Sequence, residues 1–142
     1  MSVHAPLAID LFCGRGGWTR GLQAEGFHVV GFDIEPFPQY PGQMVLQDVR
    51  TLHGSQFRAA RLIVASPPCQ EFSRHDIPQC RAKHPPPPDL DLVKACWRIR
   101  EESGVPMVLE NVRGSKPFLE PIIGRARRYG SFWLYGDVPA LL

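Results

Sequence analysis

No stretch of the chain reaches the ~18 consecutive apolar residues of a membrane-spanning helix. Met1 to Ala8 lacks the basic start and apolar core of a secretory signal. The chain therefore reads as cytoplasmic, with no membrane partner. Cysteine is scarce, and Cys13, Cys69, Cys80 and Cys96 form no Cys-x-x-Cys pair. In a reducing compartment these are expected as free thiols, and structural zinc, whose ligands come in close pairs, is not indicated. A set built on Cys80 and His84 has no regular spacing, so no metal is expected. Charge of one sign is lacking too. Lys and Arg number 16 against 14 Asp and Glu, a net +2, too little to mark a nucleic-acid binder by composition. There is no internal repeat.

What is present begins with size. A chain of 142 residues, 44% of them hydrophobic, suits one domain with a real core. Apolar runs at Leu7–Phe12, Val29–Phe32, Met44–Leu46, Leu62–Ala65 and Pro106–Leu109 predict five strands. Trp18–Ala24 predicts a helix closed by Gly26, and Ser55–Ala60 a weak one. Leu90–Glu102 predicts a third, in which Leu92, Cys96 and Ile99 share a face, with Asp89 as cap and Gly104 as stop. Strand and helix alternate, so the expected fold class is α/β, a doubly wound, mostly parallel sheet. Ligands bind beyond the carboxyl ends of the strands in such sheets. Ser66 to Pro88 predicts a long irregular loop, with Pro85–Pro88 as extended polyproline. The chain holds 15 prolines, about twice the usual ~5% share, and a loop of this length signals either function or disorder.

Candidate residues gather at the predicted strand ends. Cys69 sits just past Leu62–Ala65 in Ser66-Pro67-Pro68-Cys69-Gln70, where two prolines stiffen the turn and polar residues follow. A thiol fixed there is placed to attack a substrate in the crevice, although a free cysteine is more often buried and inert. Gly14, Gly16 and Gly17 follow a strand and open a helix. Their spacing fits neither the dinucleotide fingerprint nor a P-loop, so a nucleoside ligand without pyrophosphate fits better than a dinucleotide. Asp33 lies about 20 residues on, where an acidic residue takes ribose hydroxyls. Asp48, after the third strand, is a candidate partner for an adenine amino group. Asp33 and Asp48 equally suit turn or cap roles. Glu110 follows the fifth run, facing either the crevice or a structural partner. Arg113, Lys116, Arg125, Arg127 and Arg128 crowd a segment whose only acid is Glu120. Such a cluster suits phosphate contacts or a solvated surface.

Taken in order, Asp-Leu-Phe-Cys-Gly-Arg-Gly-Gly at 10–17, Gly31-Phe32-Asp33-Ile34-Glu35-Pro36, Gln47-Asp48-Val49, Pro-Pro-Cys-Gln at 67–70 and Glu-Asn-Val at 110–112 resemble the DNA cytosine-5 methyltransferases, in the style of phage-borne members. The resemblance spans Ile9 to about Gly114. It implies a Rossmann-like S-adenosylmethionine-dependent methyltransferase fold, S-adenosylmethionine as cofactor, DNA as partner, and a bacterial or phage-infected cell as the setting. Phe12, Gly14, Gly16, Gly17 and Pro67 would contact the cofactor, Asp33 its ribose, and Asp48 with Val49 its adenine. Cys69 would be the nucleophile and Glu110 would meet the cytosine at nitrogen 3 and its amino group.

The family's Gln-x-Arg-x-Arg motif is matched loosely by Ile123-Gly124-Arg125-Ala126-Arg127, before a strand at Phe132–Tyr135. On that match Arg127 would help hold the flipped base. Family members are longer and carry a target-recognition region and a closing helix. The expectation for residues 1–142 is therefore a single catalytic domain without that region, assisted by a complementing subunit or carboxyl-terminal segment. Two other readings stay open. One is a non-catalytic S-adenosylmethionine-binding module that assists a partner. The other is an RNA (tRNA) cytosine-5 methyltransferase.

Overall fold

The computed structural model describes residues 4–139. Its strands are β1 (Leu7–Leu11), β2 (His28–Asp33), β3 (Gln43–Leu46), β4 (Leu62–Ala65), β5 (Met107–Asn111), β6 (Arg127–Tyr129) and β7 (Phe132–Gly136). They form one sheet in the order β3-β2-β1-β4-β5-β7-β6. The first five are mutually parallel. β7 runs antiparallel to β5, and β6 antiparallel to β7. The chain moves outward from β1 through β2 to β3, then returns to β4 on the other side of β1. That reversal opens a crevice above the carboxyl ends of β1 and β4, the place where ligands bind in such sheets.

Sequence dictates much of this. Parallel strands are buried on both faces and so read as unbroken apolar runs. Ala8, Ile9, Ile63, Val64, Met107 and Val108 are all buried accordingly. One face of the sheet carries most of the core. There Ile9, Leu11, Ile63, Met107 and Leu109 pack with Val93, Cys96 and Ile99 of α4 (Asp91–Ser103) and with Leu119 of α5 (Lys116–Ile123). On the opposite face Ala8, Val29 and Val64 meet Leu22 of α1 (Gly17–Ala24), with Trp18 beside them. Over β5, β7 and β6 this second face stays open as a trough of about 570 Å³.

Several expectations need correction. The fifth strand runs on through Glu110 and Asn111 rather than ending at Leu109. Phe12 lies outside β1 in a left-handed conformation, φ 60°. Gly54–Phe57 is a short 3-10 turn, not an α-helix at Ser55–Ala60. Leu90–Glu102 is matched by α4, whose N-cap is Leu90 without a side-chain cap; Asp89, expected as the cap, lies one residue earlier and accepts from the Asp91 amide at 2.8 Å. The irregular stretch Ser66–Pro88 contains two single-turn helices, α2 (Gln70–Ser73) and α3 (Pro78–Arg81). α5 and the edge strand β6 are additional elements.

Candidate active site

The turn after β1 is shaped by its glycines. Gly14 and Gly16 take φ 50° and 89°, a region that side chains resist. At Gly16 a Cβ would also lie 2.5 Å from the Pro41 ring, so the position is crowded as well as left-handed. Around Gly14 and Gly17, by contrast, a Cβ would meet nothing within 4 Å. The turn thus presents bare backbone to open space at the start of α1, as a closely held ligand requires.

Asp33, the last residue of β2, braces this turn. Its Oδ2 accepts from the Gly14 amide at 3.0 Å and its Oδ1 from the Glu35 amide at 3.0 Å. Each carboxylate oxygen keeps a second lone pair for a hydroxyl donor. Asp48 is more committed. It caps the 3-10 turn Val49–Thr51 by accepting from the Arg50 amide at 2.9 Å, and it pairs with the Arg50 guanidinium at 2.7 Å. Those bonds hold its carboxyl below the ordinary carboxylate range. The Val49 side chain is buried in the core, which leaves only its backbone to face a ligand.

Beneath the turn lies a residue that sequence reading passed over. Asp10 is 1% exposed, and its Oδ2 accepts from Thr19 Oγ1 at 2.7 Å. The Thr19 hydroxyl has a single proton, so it accepts in turn from Tyr40 Oη at 2.8 Å. Asp10 Oδ1 has no partner. Burial pushes this carboxyl from 3.8 up to about 6, with the Thr19 bonds opposing and the Asp33 charge adding. Cys13 in the same layer is pushed up to about 12, again chiefly by burial. It is an inert structural thiol.

Cys69 differs. It is only half-buried, and its carbonyl accepts from the Ser73 amide at 3.0 Å to start α2. The segment that carries it is fastened to β5 through Asn111. Asn111, 1% exposed, donates from Nδ2 to the Pro67 carbonyl at 3.2 Å and accepts from the Val112 amide at 2.8 Å. Ser66, whose hydroxyl accepts from Trp18 Nε1 at 2.8 Å, lies beside Glu110 in the lining of the same trough. Burial pushes the Glu110 carboxyl above its ordinary range, only partly offset by Ser66. A carboxyl so placed keeps its proton to higher pH and can act as a hydrogen-bond donor.

Glu110 lines the trough with Trp18, Ser66 and Leu134. It stands opposite Leu134 on β7, and Leu134 stands opposite Arg127 on β6. Directly paired residues share a face, so Glu110 and the exposed Arg127 lie on the same face of the sheet, on strands about 10 Å apart. Arg127 opens a strand of its own rather than only preceding one, and Ile123, at the glutamine position of the loose motif, is a buried core residue ending α5.

Further fasteners were invisible before folding. Gly114 sits where a Cβ would come within 2.5 Å of the Phe72 carbonyl oxygen and 2.9 Å of Asp76 Cβ. Arg113 pairs with Asp76 at 3.1 Å. Asn111 and Gly114 lie in or beside the Glu-Asn-Val motif, the one signal that pointed to them.

The geometry agrees with what comparison finds. The profile of the family described as C-5 cytosine-specific DNA methylase matches residues 7–116. The type II methylase M.HgiDII of Herpetosiphon aurantiacus is 34% identical over 80 residues, 47% of this chain and 23% of its own length. This chain therefore spans less than a quarter of that relative. Among solved structures, the S. pombe Dnmt2 methyltransferase superposes with a TM-score of 0.53 at 21% identity, covering 79% of this chain and 36% of its own. The magnesium protoporphyrin IX methyltransferase of Synechocystis, solved with bound S-adenosylmethionine, gives 0.54 at 14% identity over 93% of this chain and 69% of its own. These superpositions bear on fold, which is the Rossmann-like methyltransferase sheet. The profile match covers most of the chain and contains the glycine turn, Asp33, the Pro-Pro-Cys segment and the Glu-Asn-Val strand end, and by it the chain belongs to the C-5 cytosine-specific DNA methylase family.

Proposed function

We propose that residues 4–139 form the S-adenosylmethionine-binding and catalytic part of a DNA cytosine-5 methyltransferase. The observation that carries the proposal is the fastening of the Pro-Pro-Cys segment to the Glu-Asn-Val strand end by Asn111, which donates to the Pro67 carbonyl, with Ser66 and Glu110 lining the same trough. A binding module has no need of a half-buried thiol on a segment pinned to the strand that carries a half-buried carboxyl.

The residues present fit the cofactor. Bare backbone at Gly14 and Gly17 leaves room for a closely held nucleoside, Asp33 retains acceptor capacity for ribose hydroxyls, and Asp10 Oδ1 is an orphaned buried acceptor under the turn. Phe12, Gly16 and Pro67 would complete its contacts. Asp48, already paired with Arg50, and the backbone of Val49 would edge the adenine. S-adenosylmethionine supplies the methyl group.

Cytosine carbon 5 is a poor nucleophile until its ring is activated. Cys69 Sγ, as thiolate, adds to carbon 6, and the ring electrons move toward carbon 5 and nitrogen 3. Glu110, whose burial favours the protonated form, would donate a hydrogen bond at nitrogen 3 and offset the charge developing there. Carbon 5 then takes the methyl group. Loss of the carbon 5 proton to a base restores the ring and expels the Cys69 thiolate. Arg127, on the same face as Glu110, would hold the base from the far side of the trough. Reaching this site requires the cytosine to leave the helix.

The test is methyl transfer from radiolabelled S-adenosylmethionine to duplex DNA and, separately, to tRNA. Transfer to DNA that disappears in Cys69→Ala supports the proposal. Transfer to tRNA alone, or none from a folded chain that binds the cofactor, contradicts it.

A further inference from the structure

Beyond Arg127 and Leu134, the β6–β7 hairpin carries residues that the site does not use. Its two-residue turn is Gly130-Ser131, with Gly130 at φ 61°, the first turn position at which a type II′ hairpin needs glycine. β6 runs parallel to β5, because both are antiparallel to β7. The turn therefore projects at the carboxyl end of the sheet, the end at which β4 and β5 hand over to Pro67–Cys69 and Val112. Phe132, the first residue after the turn, is 57% exposed. Trp133 is flanked by two cations, Lys116 Nζ at 4.4 Å from its ring centroid and Arg128 Cζ at 6.0 Å. Arg128 Nε also donates to the Gly130 carbonyl at 2.9 Å, which braces the turn. Among the described residues no carboxylate lies within ion-pair distance of Lys116, Arg125 or Arg128, whereas Arg113 is already paired with Asp76.

An exposed apolar ring costs free energy in water, and uncompensated cations repel one another. Both are relieved together by a partner that offers phosphates beside stackable rings. Neither an acidic peptide nor a lipid surface offers that pairing.

We propose that this hairpin is a nucleic-acid contact surface, with Lys116, Arg125 and Arg128 on backbone phosphates and Phe132 against a base beside the extruded cytosine. The inference rests on the function proposed above and names where its DNA is gripped. Arg128 and Lys116 are held against the Trp133 ring, so they meet phosphates partly ordered in advance. Phe132, at the rim of the trough that Glu110 lines, meets the gap from which the base has left.

The experiment is fluorescence anisotropy of a labelled duplex carrying a cytosine mismatch, titrated with the full chain at several salt concentrations. Each phosphate contact contributes about −0.9 to the slope of log affinity against log salt. The double variant Lys116→Gln, Arg128→Gln should flatten that slope by about 1.8. Phe132→Ala should weaken binding about fivefold or more with the slope unchanged, because a lost ring contact releases no counterion. Polyglutamate of equal charge should displace the duplex poorly. Wild-type slope in the double variant, wild-type affinity in Phe132→Ala, or equal displacement by polyglutamate would each overturn the assignment. S-adenosylmethionine binding by calorimetry stays at the wild-type value in these surface variants. Failure of the surface thus appears in the variants with cofactor binding intact, and failure of the functional reading appears in the wild-type chain.

Discussion

Replacing Asp10 by asparagine should remove one pH dependence of folding over a defined window. The carboxyl is 1% exposed, one of its oxygens has no partner, and burial moves it from 3.8 to about 6. That difference is worth about 3 kcal/mol. The folded state holds the proton more tightly than the unfolded chain. The stability linked to Asp10 is therefore fully present below about pH 4 and is lost as pH rises through about 6. Asparagine carries no such dependence. Its amide oxygen can still accept from Thr19, while its NH2 occupies the orphan position unpaired, at a constant cost of about 1–3 kcal/mol. Asp48, Asp137 and Glu102 are held low by bonds to Arg50, Arg100 and the Gly54 amide, so they act below this window in both proteins and cancel in the difference. Urea unfolding followed by tryptophan fluorescence gives the two free energies at each pH. The wild type should be the more stable near pH 4. Between about pH 4 and 7 the difference should move by about 3 kcal/mol in favour of Asp10→Asn. A gap between the two proteins that does not change with pH would refute the reasoning.

Three further outcomes follow from the site. Gly114→Ala puts a methyl group 2.5 Å from the Phe72 carbonyl oxygen; it should destabilise the fold by about 1–3 kcal/mol in the same urea assay. Asp33→Ala removes the acceptor for the Gly14 and Glu35 amides; it should weaken S-adenosylmethionine binding by about 1–3 kcal/mol in calorimetry. Asn111→Ala frees the Pro67 carbonyl while leaving the glycine turn untouched. It should therefore lower the methyl-transfer rate at saturating cofactor about tenfold or more, a larger effect than any loss of cofactor affinity through the freed Pro67.

The legible part of the fold is the part in which local pattern and tertiary environment ask for the same residues. β1, its glycine turn and α1 belong here, since a doubly buried strand needs an apolar run and the turn needs φ values that glycine alone adopts freely. α4 was equally open, because Cys96 and Ile99 recur at helical spacing on its buried face, although Val93 rather than the expected Leu92 completes that face. α5 was hidden by Pro117 and Pro121. Proline fits the first turn, and the bond lost at Pro121, one turn from the end, is offset by burial of Leu119 and Ile123. β6 was hidden because Arg127-Arg128-Tyr129 has no strand character of its own and exists only through pairing with β7. Glu110 marked the end of an apolar run, yet the strand continues because its side chain faces the trough and Asn111 finds two partners. The sequence named the candidate chemical groups, Cys69, Glu110 and Asp33. The contacts that hold them lie tens of residues apart in the chain, Asn111 to Pro67 and Trp18 to Ser66, and no local pattern encodes such pairings.

The central claim is that Cys69 forms a covalent bond to cytosine. DNA carrying 5-fluorocytosine tests it directly, because fluorine at carbon 5 blocks the elimination that would release the thiol. Incubated with S-adenosylmethionine, the wild-type chain should give a complex that survives denaturing electrophoresis, and peptide mapping should place the link at Cys69. Cys69→Ala should give none. A methylating preparation that leaves no denaturant-resistant complex, or an adduct that persists in Cys69→Ala, would contradict the account.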